Sequence, residues 1–356
     1  MFPKVEPFKN DWDSGKNRLL IMAEGFEPRT FSFLNNVNDI RFNDTIICRY
    51  SPVEIEPDGE KLHDILIGFD LKEDNIHVIP FCRFQPMTFE SELRDFFLRN
   101  INNYDEVVID ISVMSKLLIM VIIWLLREYP NSIKIIYSEP DDYYPTRENY
   151  KALREEFGEN IHELTALPSF GVHDVVRTPE LTSVVMQQNP NILIAFTSFN
   201  ELLLRALMSS ISPMHFYLIS CVPPRLGWRE EATQQLHEKL IEDFPNDNPK
   251  GCSKNRLQRR SSALYYTETF QVLADLYVKH CYDYRIILAP TGSKMQTLGA
   301  ALIKCCCPDI HIEYPTPDSY IWDGFSSDKI HAIHQVRFTN LPRLLNVASE
   351  YYKLDG

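Results

Sequence analysis

The stretch Ala289-Pro290-Thr291-Gly292-Ser293-Lys294-Met295-Gln296 combines residue types that could do chemistry. An apolar run precedes it and a helical period follows it, so it reads as a turn from a buried strand into a helix. Gly292 lets the backbone turn tightly and approach a ligand closely. The first N–H groups of the helix point at whatever lies in front of them, and the helix dipole favours an anion there. Lys294 adds a full positive charge, and Thr291 and Ser293 add hydroxyls. Together they suit a phosphate or a nucleotide. The same residues fit a second description, because Ser293-x-x-Gln296 is a capping box that satisfies orphan N–H groups without any ligand. The Walker A pattern Gly-x-x-x-x-Gly-Lys is absent.

Other polar residues stand at places where the pattern ends a strand. Glu27 and Arg29 follow the first apolar run, beyond Glu24 and Gly25. Arg29 could hold a phosphate with both arms of its guanidinium; the alternative is a salt-bridged helix start with Pro28 in an early helical position. Arg225, after Pro223-Pro224, and Arg229 follow a later strand. Ser115 and Lys116 open a helix after Ser112-Val113-Met114; with no glycine there, capping is favoured over anion binding. Lys254–Arg260 is the dense basic run of the chain, either a solvated loop or a polyanion contact. Tyr143 and Tyr320 could stack on bases or simply close a sheet edge. Asp110 ends a buried strand and could cap the next loop or act chemically. His331 and His334 fall three apart in a strand-like segment, so they face opposite sides and do not share a metal. His173-Asp174 offers an acid–base pair with no nucleophile legible beside it. Gly-x-Ser-x-Gly, His-Glu-x-x-His and Gly-x-Gly-x-x-Gly are all missing.

The elements that would position these residues repeat. Tyr104-Asp105, a strand, Ser115-Lys116, an apolar helix, a second strand and Pro140-Asp141-Asp142-Tyr143 recur as Tyr282-Asp283, a strand, Ser293-Lys294, a helix, a strand and Pro317-Asp318-Ser319-Tyr320. Tyr104 and Tyr282, like Lys116 and Lys294, stand half the chain's 356 residues apart. The order and constant spacing point to internal duplication. Strands are expected near 18–23, 45–49, 76–81, 106–111 and 133–137, then 191–196, 215–221, 285–289 and 309–314. Helices are expected near 28–36, 88–102 and 115–129, then 200–210, 229–243, 262–281 and 293–306, with a strand at 331–338 and a helix at 341–354 closing the chain. The central strands are continuous apolar runs, the mark of parallel sheets covered on both faces. The fold class is therefore α/β: two tandem Rossmann-like domains with mainly parallel sheets. The divisions are 1–145, a crossover linker with a helix at 146–190, and 191–356. In such sheets ligands bind beyond the carboxyl ends of the strands, at the switch point.

Composition sets the outer bounds. With 44% apolar and 24% charged residues the chain is globular, neither disordered nor fibrous. A net charge of −13 makes bulk binding to nucleic acid or an anionic membrane an unexpected role. The opening residues lack a basic stretch followed by an apolar one, so no signal peptide is expected. The longest apolar run, Leu117 to Leu126, is about half of the ~20 residues that span a bilayer. None of the eight cysteines forms a Cys-x-x-Cys pair. They read as free thiols of a reducing cytoplasm, with no metal and no cofactor expected.

The Pro290–Met295 turn after a Rossmann strand resembles that of CARF domains, which sense cyclic oligonucleotides, and the paired halves resemble the SAVED arrangement of related antiviral sensors. This turn is one residue shorter than the Thr-Gly-Gly-Thr-Lys of CARF domains. The resemblance implies an RNA-like cyclic nucleotide held between the halves and lined by Thr291, Gly292, Ser293 and Lys294. It also implies an effector protein that reads the bound state. The alternatives are an enzyme that cleaves a nucleotide or phosphodiester ligand, such as a ring nuclease, and a non-catalytic assembly subunit.

Overall fold

In a computed structural model of the chain, residues 2–52, 58–158, 169–170, 172–243, 259–320 and 329–354 are described. The chain divides into two units, Met1–Tyr143 with Gly324–Val347, and Tyr144–Asp323 with Ala348–Gly356.

The first unit is built on β1 (Glu6–Pro7), β2 (Arg18–Glu24), β3 (Asp44–Ser51), α1 (Gly59–Gly68), β4 (Ile76–Cys82), α2 (Met87–Asn100), β5 (Glu106–Asp110), α3 (Lys116–Leu125) and β6 (Ser132–Pro140). Every residue of β2 and β5 is buried, as continuous apolar runs require in a sheet covered on both faces. β2 through β6 run parallel in the order β6-β5-β2-β3-β4. One face packs Leu20, Met22, Val108 and Ile136 against Phe33, Phe42 and the α1 residues Leu62 and Leu66. Where a helix is expected at 28–36 the chain makes two short 3-10 turns, Pro28–Phe31 and Leu34–Asn36.

The second unit carries α4 (Arg147–Phe157), β7 (Ser169–Phe170), β8 (Asp174–Val176), β9 (Asn191–Phe196), α5 (Glu201–Ile211), β10 (His215–Val222), α6 (Trp228–Asp243), β11 (Arg260–Ser262), α7 (Tyr266–His280), β12 (Arg285–Leu288), α8 (Lys294–Cys306), β13 (His311–Ile312), β14 (Tyr314–Thr316) and β15 (Ser319–Tyr320). Its sheet is wholly parallel, in the order β11-β10-β9-β12-β13. Counting only the parallel strands in chain order, both sheets read 3-2-1-4-5, the Rossmann order, so the doubling seen in the sequence is repeated in the topology. Leu193, Ala195, Leu218 and Ile287 pack on Leu204, Leu207 and Met208 of α5 and Leu240 of α6. Lys304, 1% exposed, donates to the carbonyls of Pro308 and Ile310 at 2.7 Å each and so anchors the end of α8.

Two placements differ from the sequence reading. β16 (Ile330–Phe338), expected to close the second half, lies antiparallel on β6 and extends the first sheet, with β1 outside it. Glu106, fully buried, accepts from Arg18 at 2.9 Å and from Arg337 of β16 at 2.8 Å, and so ties the added strand to the sheet. The stretch at 146–190 is more than a linker, because β8 pairs with β14 and β7 with β15 within the second unit. α9 (Leu341–Tyr352) follows β16.

α7 and α8 pack closely at Gly299, where a Cβ would stand 2.5 Å from the Tyr266 carbonyl oxygen and 2.9 Å from Thr269 Cβ. A backbone atom cannot step aside as a side-chain tip can. Gly299→Ala is therefore expected to destabilise the second unit by about 1–3 kcal/mol, read as a lower urea midpoint with an unchanged slope. An unchanged midpoint would show that the helices separate freely.

Among the described residues no helix is long and apolar enough to cross a membrane.

Candidate ligand site at the strand ends

In the second unit the turn after β12 is stitched to the strand beside it. Thr291 Oγ1 donates to the Phe196 carbonyl at 2.7 Å and accepts from the Phe196 N–H at 2.9 Å. Ser293 is the N-cap of α8, accepting from Gln296 N–H at 3.0 Å, while Gln296 Oε1 accepts from Ser293 N–H at 2.8 Å. The capping box is thus formed in full. Ser293 Oγ also donates to the Ala263 carbonyl at 2.6 Å. Gln296 is fully buried; its Nε2 donates to Ser261 O and Oγ, and its Oε1 takes a further hydrogen bond from Cys221 Sγ at 2.8 Å. A Cβ on Gly292 would lie 2.3 Å from Gln296 Oε1 and 3.0 Å from Phe196 Cβ. Gly292 thus makes room for the protein's own glutamine and phenylalanine. The two hydroxyls and the glycine serve the turn itself. The cationic chemistry at this turn is the helix dipole and the half-buried Lys294 at the first helical position.

The equivalent place in the first unit follows β5. Asp110, buried, accepts from Ser112 N–H at 2.9 Å and from the Ser112 hydroxyl, and that hydroxyl accepts from Ser138 N–H at 2.8 Å. The carboxylate therefore shapes the loop. Ser115 caps α3, accepting from Leu118 N–H at 3.2 Å, and Lys116 is the first helical residue. The Ser115 N–H donates to the Tyr50 hydroxyl at 2.6 Å, which donates to the Val113 carbonyl at 3.0 Å. Both units thus start the helix after their fourth strand with a capping serine and then a lysine.

Glu27 and Arg29 lie on that same edge of the first sheet, after β2. Their geometry takes the salt-bridge alternative: Arg29 Nε is 2.6 Å from Glu27 Oε2, and Nη2 donates to Oε1 at 2.8 Å. Both arms of the guanidinium rest on one carboxylate. Burial opposes the Arg29 charge, and Glu27 more than offsets it, so the group stays firmly cationic. The Tyr137 and Tyr143 hydroxyls meet at 2.7 Å, and burial holds both phenols above the usual range. Tyr143 therefore closes the edge with Tyr137. Arg49 rests on the buried Glu24 at 2.6 Å.

Arg225 follows β10 on the corresponding edge of the second sheet. Arg229 donates to the carbonyls of Pro145 and Tyr144 at 2.7 and 3.2 Å and lies 4.4 Å over the Phe199 ring, a packing role. His334 Nε2 is 2.8 Å from Glu139 Oε2, and its ring stacks on Tyr137. His331 is paired separately with Asp141 at 3.8 Å, so the two histidines do not converge. His173 faces Asp318 at 3.7 Å. Lys254–Gln258, Cys252 and the Tyr320 side chain lie outside the described residues. Among the described residues no three His, Cys, Asp or Glu side chains are placed to hold a metal. The other seven cysteines are free thiols.

Sequence reasoning missed Cys221, Tyr50 and the Glu139–His334 pair. No local signal marks them, because each pairs with a group far away in the chain. Gln296 was legible as one half of a capping box, but its other bonds were not.

No family model matches this chain, and no curated protein matches it. Among solved structures, N,N-8-amino-8-demethyl-D-riboflavin dimethyltransferase from Streptomyces davawensis is 14% identical, with a TM-score of 0.19 over 45% of each chain. The match therefore spans less than half of that enzyme. The cytoplasmic domain of a prokaryotic cation chloride cotransporter is 11% identical, with a TM-score of 0.23 over 85% of this chain and 96% of the other. At these TM-scores neither match carries a functional argument.

Proposed function

We propose that this chain is a nucleotide-binding regulatory protein that takes a phosphate-bearing ligand, a cyclic oligonucleotide among them, at the Ser–Lys helix starts of its Rossmann-like units. The observation that carries the reading is the recurrence of that start, Ser115-Lys116 and Ser293-Lys294, after the fourth strand of two sheets with one topology. In a 3-2-1-4-5 sheet the fourth strand flanks the switch point, where ligands bind, and a lysine at the first helical position adds charge to the dipole. An effector protein would read the bound state, as in CARF- and SAVED-type antiviral sensing. A cytoplasmic setting goes with this reading and with the free thiols, Cys48 and Cys307 among them buried.

Turnover of the same ligand is the second reading. The observation favouring it is the Glu139–His334 pair at the strand-end edge of the first sheet, an imidazole oriented by a carboxylate.

Calorimetric titration with AMP, cyclic mononucleotides and cyclic oligonucleotides tests the proposal. Binding is expected for at least one phosphate ligand, and Lys294→Ala or Lys116→Ala should weaken it about tenfold or more, the loss of roughly one charge-assisted contact. If no phosphate ligand binds, or if both variants bind like the parent, the proposal falls and the assembly-subunit reading stands. Chromatography of the same mixtures separates binding from cleavage.

A further inference from the structure

Lys134, on β6, has Val108 and Arg337 as its neighbours across the sheet. Strand alternation puts it on the face of Leu20, Val108 and Ile136, which share one apolar cluster. Its side chain is fully buried. An ammonium has three donors, and none of those on Lys134 makes a hydrogen bond. Nζ instead lies 3.7 Å from the centroid of the Trp12 ring and 3.6 Å from Asp11 Oδ1. Burial lowers the proton affinity of this amine and Arg337 adds to the effect; Glu106 and Asp11 oppose it, and the net shift is downward. Lysine becomes a nucleophile as the neutral amine, and an ammonium held without hydrogen-bond partners is poised to give up its proton when the cover lifts.

The cover over it is Trp12, packed on the core cluster, and the irregular segment around it. Residues 9–11 and 13–15 are exposed and belong to no helix or strand. Trp12 is held by ring contacts with Phe8 and Phe33 at 6.2 and 6.3 Å, and its indole N–H donates within the segment, to Asn10. Arg18 also lies over the Trp12 ring and donates to the Asp13 carbonyl, Arg337 donates to the Asp13 carboxylate, and Asn38 N–H donates to Asn10 Oδ1, so the cover lifts as one exposed, irregular segment in a local opening.

We propose that Lys134 is a gated acylation site, closed by Trp12 and Asp11 and reached by an activated acyl donor when residues 10–13 lift away. The neutral amine nitrogen attacks the acyl carbonyl carbon and an N–C bond forms. The bond to the leaving group breaks with its electron pair, and the amine proton passes to water. The product amide is uncharged and bulkier than the ammonium. With Nζ 3.7 Å from the Trp12 ring centroid, the added acyl group competes with the indole for the same space, so acylation favours the open segment.

Brief treatment of the whole chain with N-hydroxysuccinimidyl acetate, followed by digestion and mass spectrometry, reports the rate at each lysine. Trp12→Ala is expected to raise the Lys134 rate at least tenfold while the exposed Lys72 and Lys279 react as before. Phe8→Ala, which loosens Trp12 without removing it, should move the rate in the same direction. In the parent protein the Lys134 rate should be independent of urea below the unfolding transition. A rate unchanged in both variants would overturn the proposal, as would labelling of the parent that appears only in step with global unfolding.

Discussion

Replacing Gln296 with leucine is expected to destabilise the second unit by about 3–5 kcal/mol, well beyond the effect of Lys294→Ala two residues away. Leucine keeps the volume of glutamine and removes its amide. Ser293 N–H and Cys221 Sγ lose their shared acceptor, and the Ser261 carbonyl and hydroxyl lose a donor. Each group left unsatisfied in a buried place costs about 1–3 kcal/mol. The capping box is made by Ser293 and Gln296, and the half-buried Lys294 has no part in it. Urea denaturation of both variants, beside nucleotide titration, separates what holds the turn from what the turn holds. If Gln296→Leu leaves the urea midpoint in place, the network is not structural. If Lys294→Ala instead unfolds the unit, the division of roles drawn here is wrong.

Acid should weaken the same unit through His237. This side chain is fully buried; its Nδ1 lies 2.7 Å from the Thr233 carbonyl, and its Nε2 has no partner. Burial, with a smaller contribution from the Arg205 charge, pushes its pKa down to about 4, against the bond to the Thr233 carbonyl. The unfolded chain takes up a proton near the ordinary value of 6.5. Between these limits the unfolded state binds more protons, so stability rises with pH. The contribution is fully present above pH 6.5 and is lost as the pH falls through that window towards 4. At about pH 4.5 the loss amounts to about 2–3 kcal/mol. His280 also falls to about 4, through burial first and then Lys279, His215 and Arg259, with Asp283 opposing. It is half-buried, so its effect has the same sign and is smaller. Urea unfolding at pH 7 and about pH 4.5 checks this. The parent should lose about 2–3 kcal/mol more than His237→Leu, and an equal loss in the two proteins would remove His237 from the account.

Much of the site's setting was legible beforehand. The helix expected in the 146–190 linker is α4 (Arg147–Phe157), the strand at 191–196 is β9, and the helix at 293–306 starts one residue later in α8. β11 escaped notice because Arg260-Ser261-Ser262 is short and polar, with no apolar run to mark it. It is nonetheless the third strand of its sheet and offers Ser261 to Gln296. The stretch at 28–36 carries apolar residues at helical spacing, yet it folds into two 3-10 turns whose Phe33 and Leu34 fill the first unit's core. Propensity gives way there to the volume that the core has to fill.

The order of residues by itself determined the α/β class, the parallel sheets and the doubling, because burial on two faces writes an unbroken apolar run and a covering helix writes a period of 3.6. Only the tertiary structure decided that β16 joins the first sheet, that Arg29 rests on Glu27, and that Thr291, Gly292 and Ser293 hold the turn together. Periodicity is a local property of the chain. The partner of a polar atom depends on which groups the fold brings within about 3 Å, and Glu139 and His334, 195 residues apart in the chain, show how far that choice lies from any local pattern.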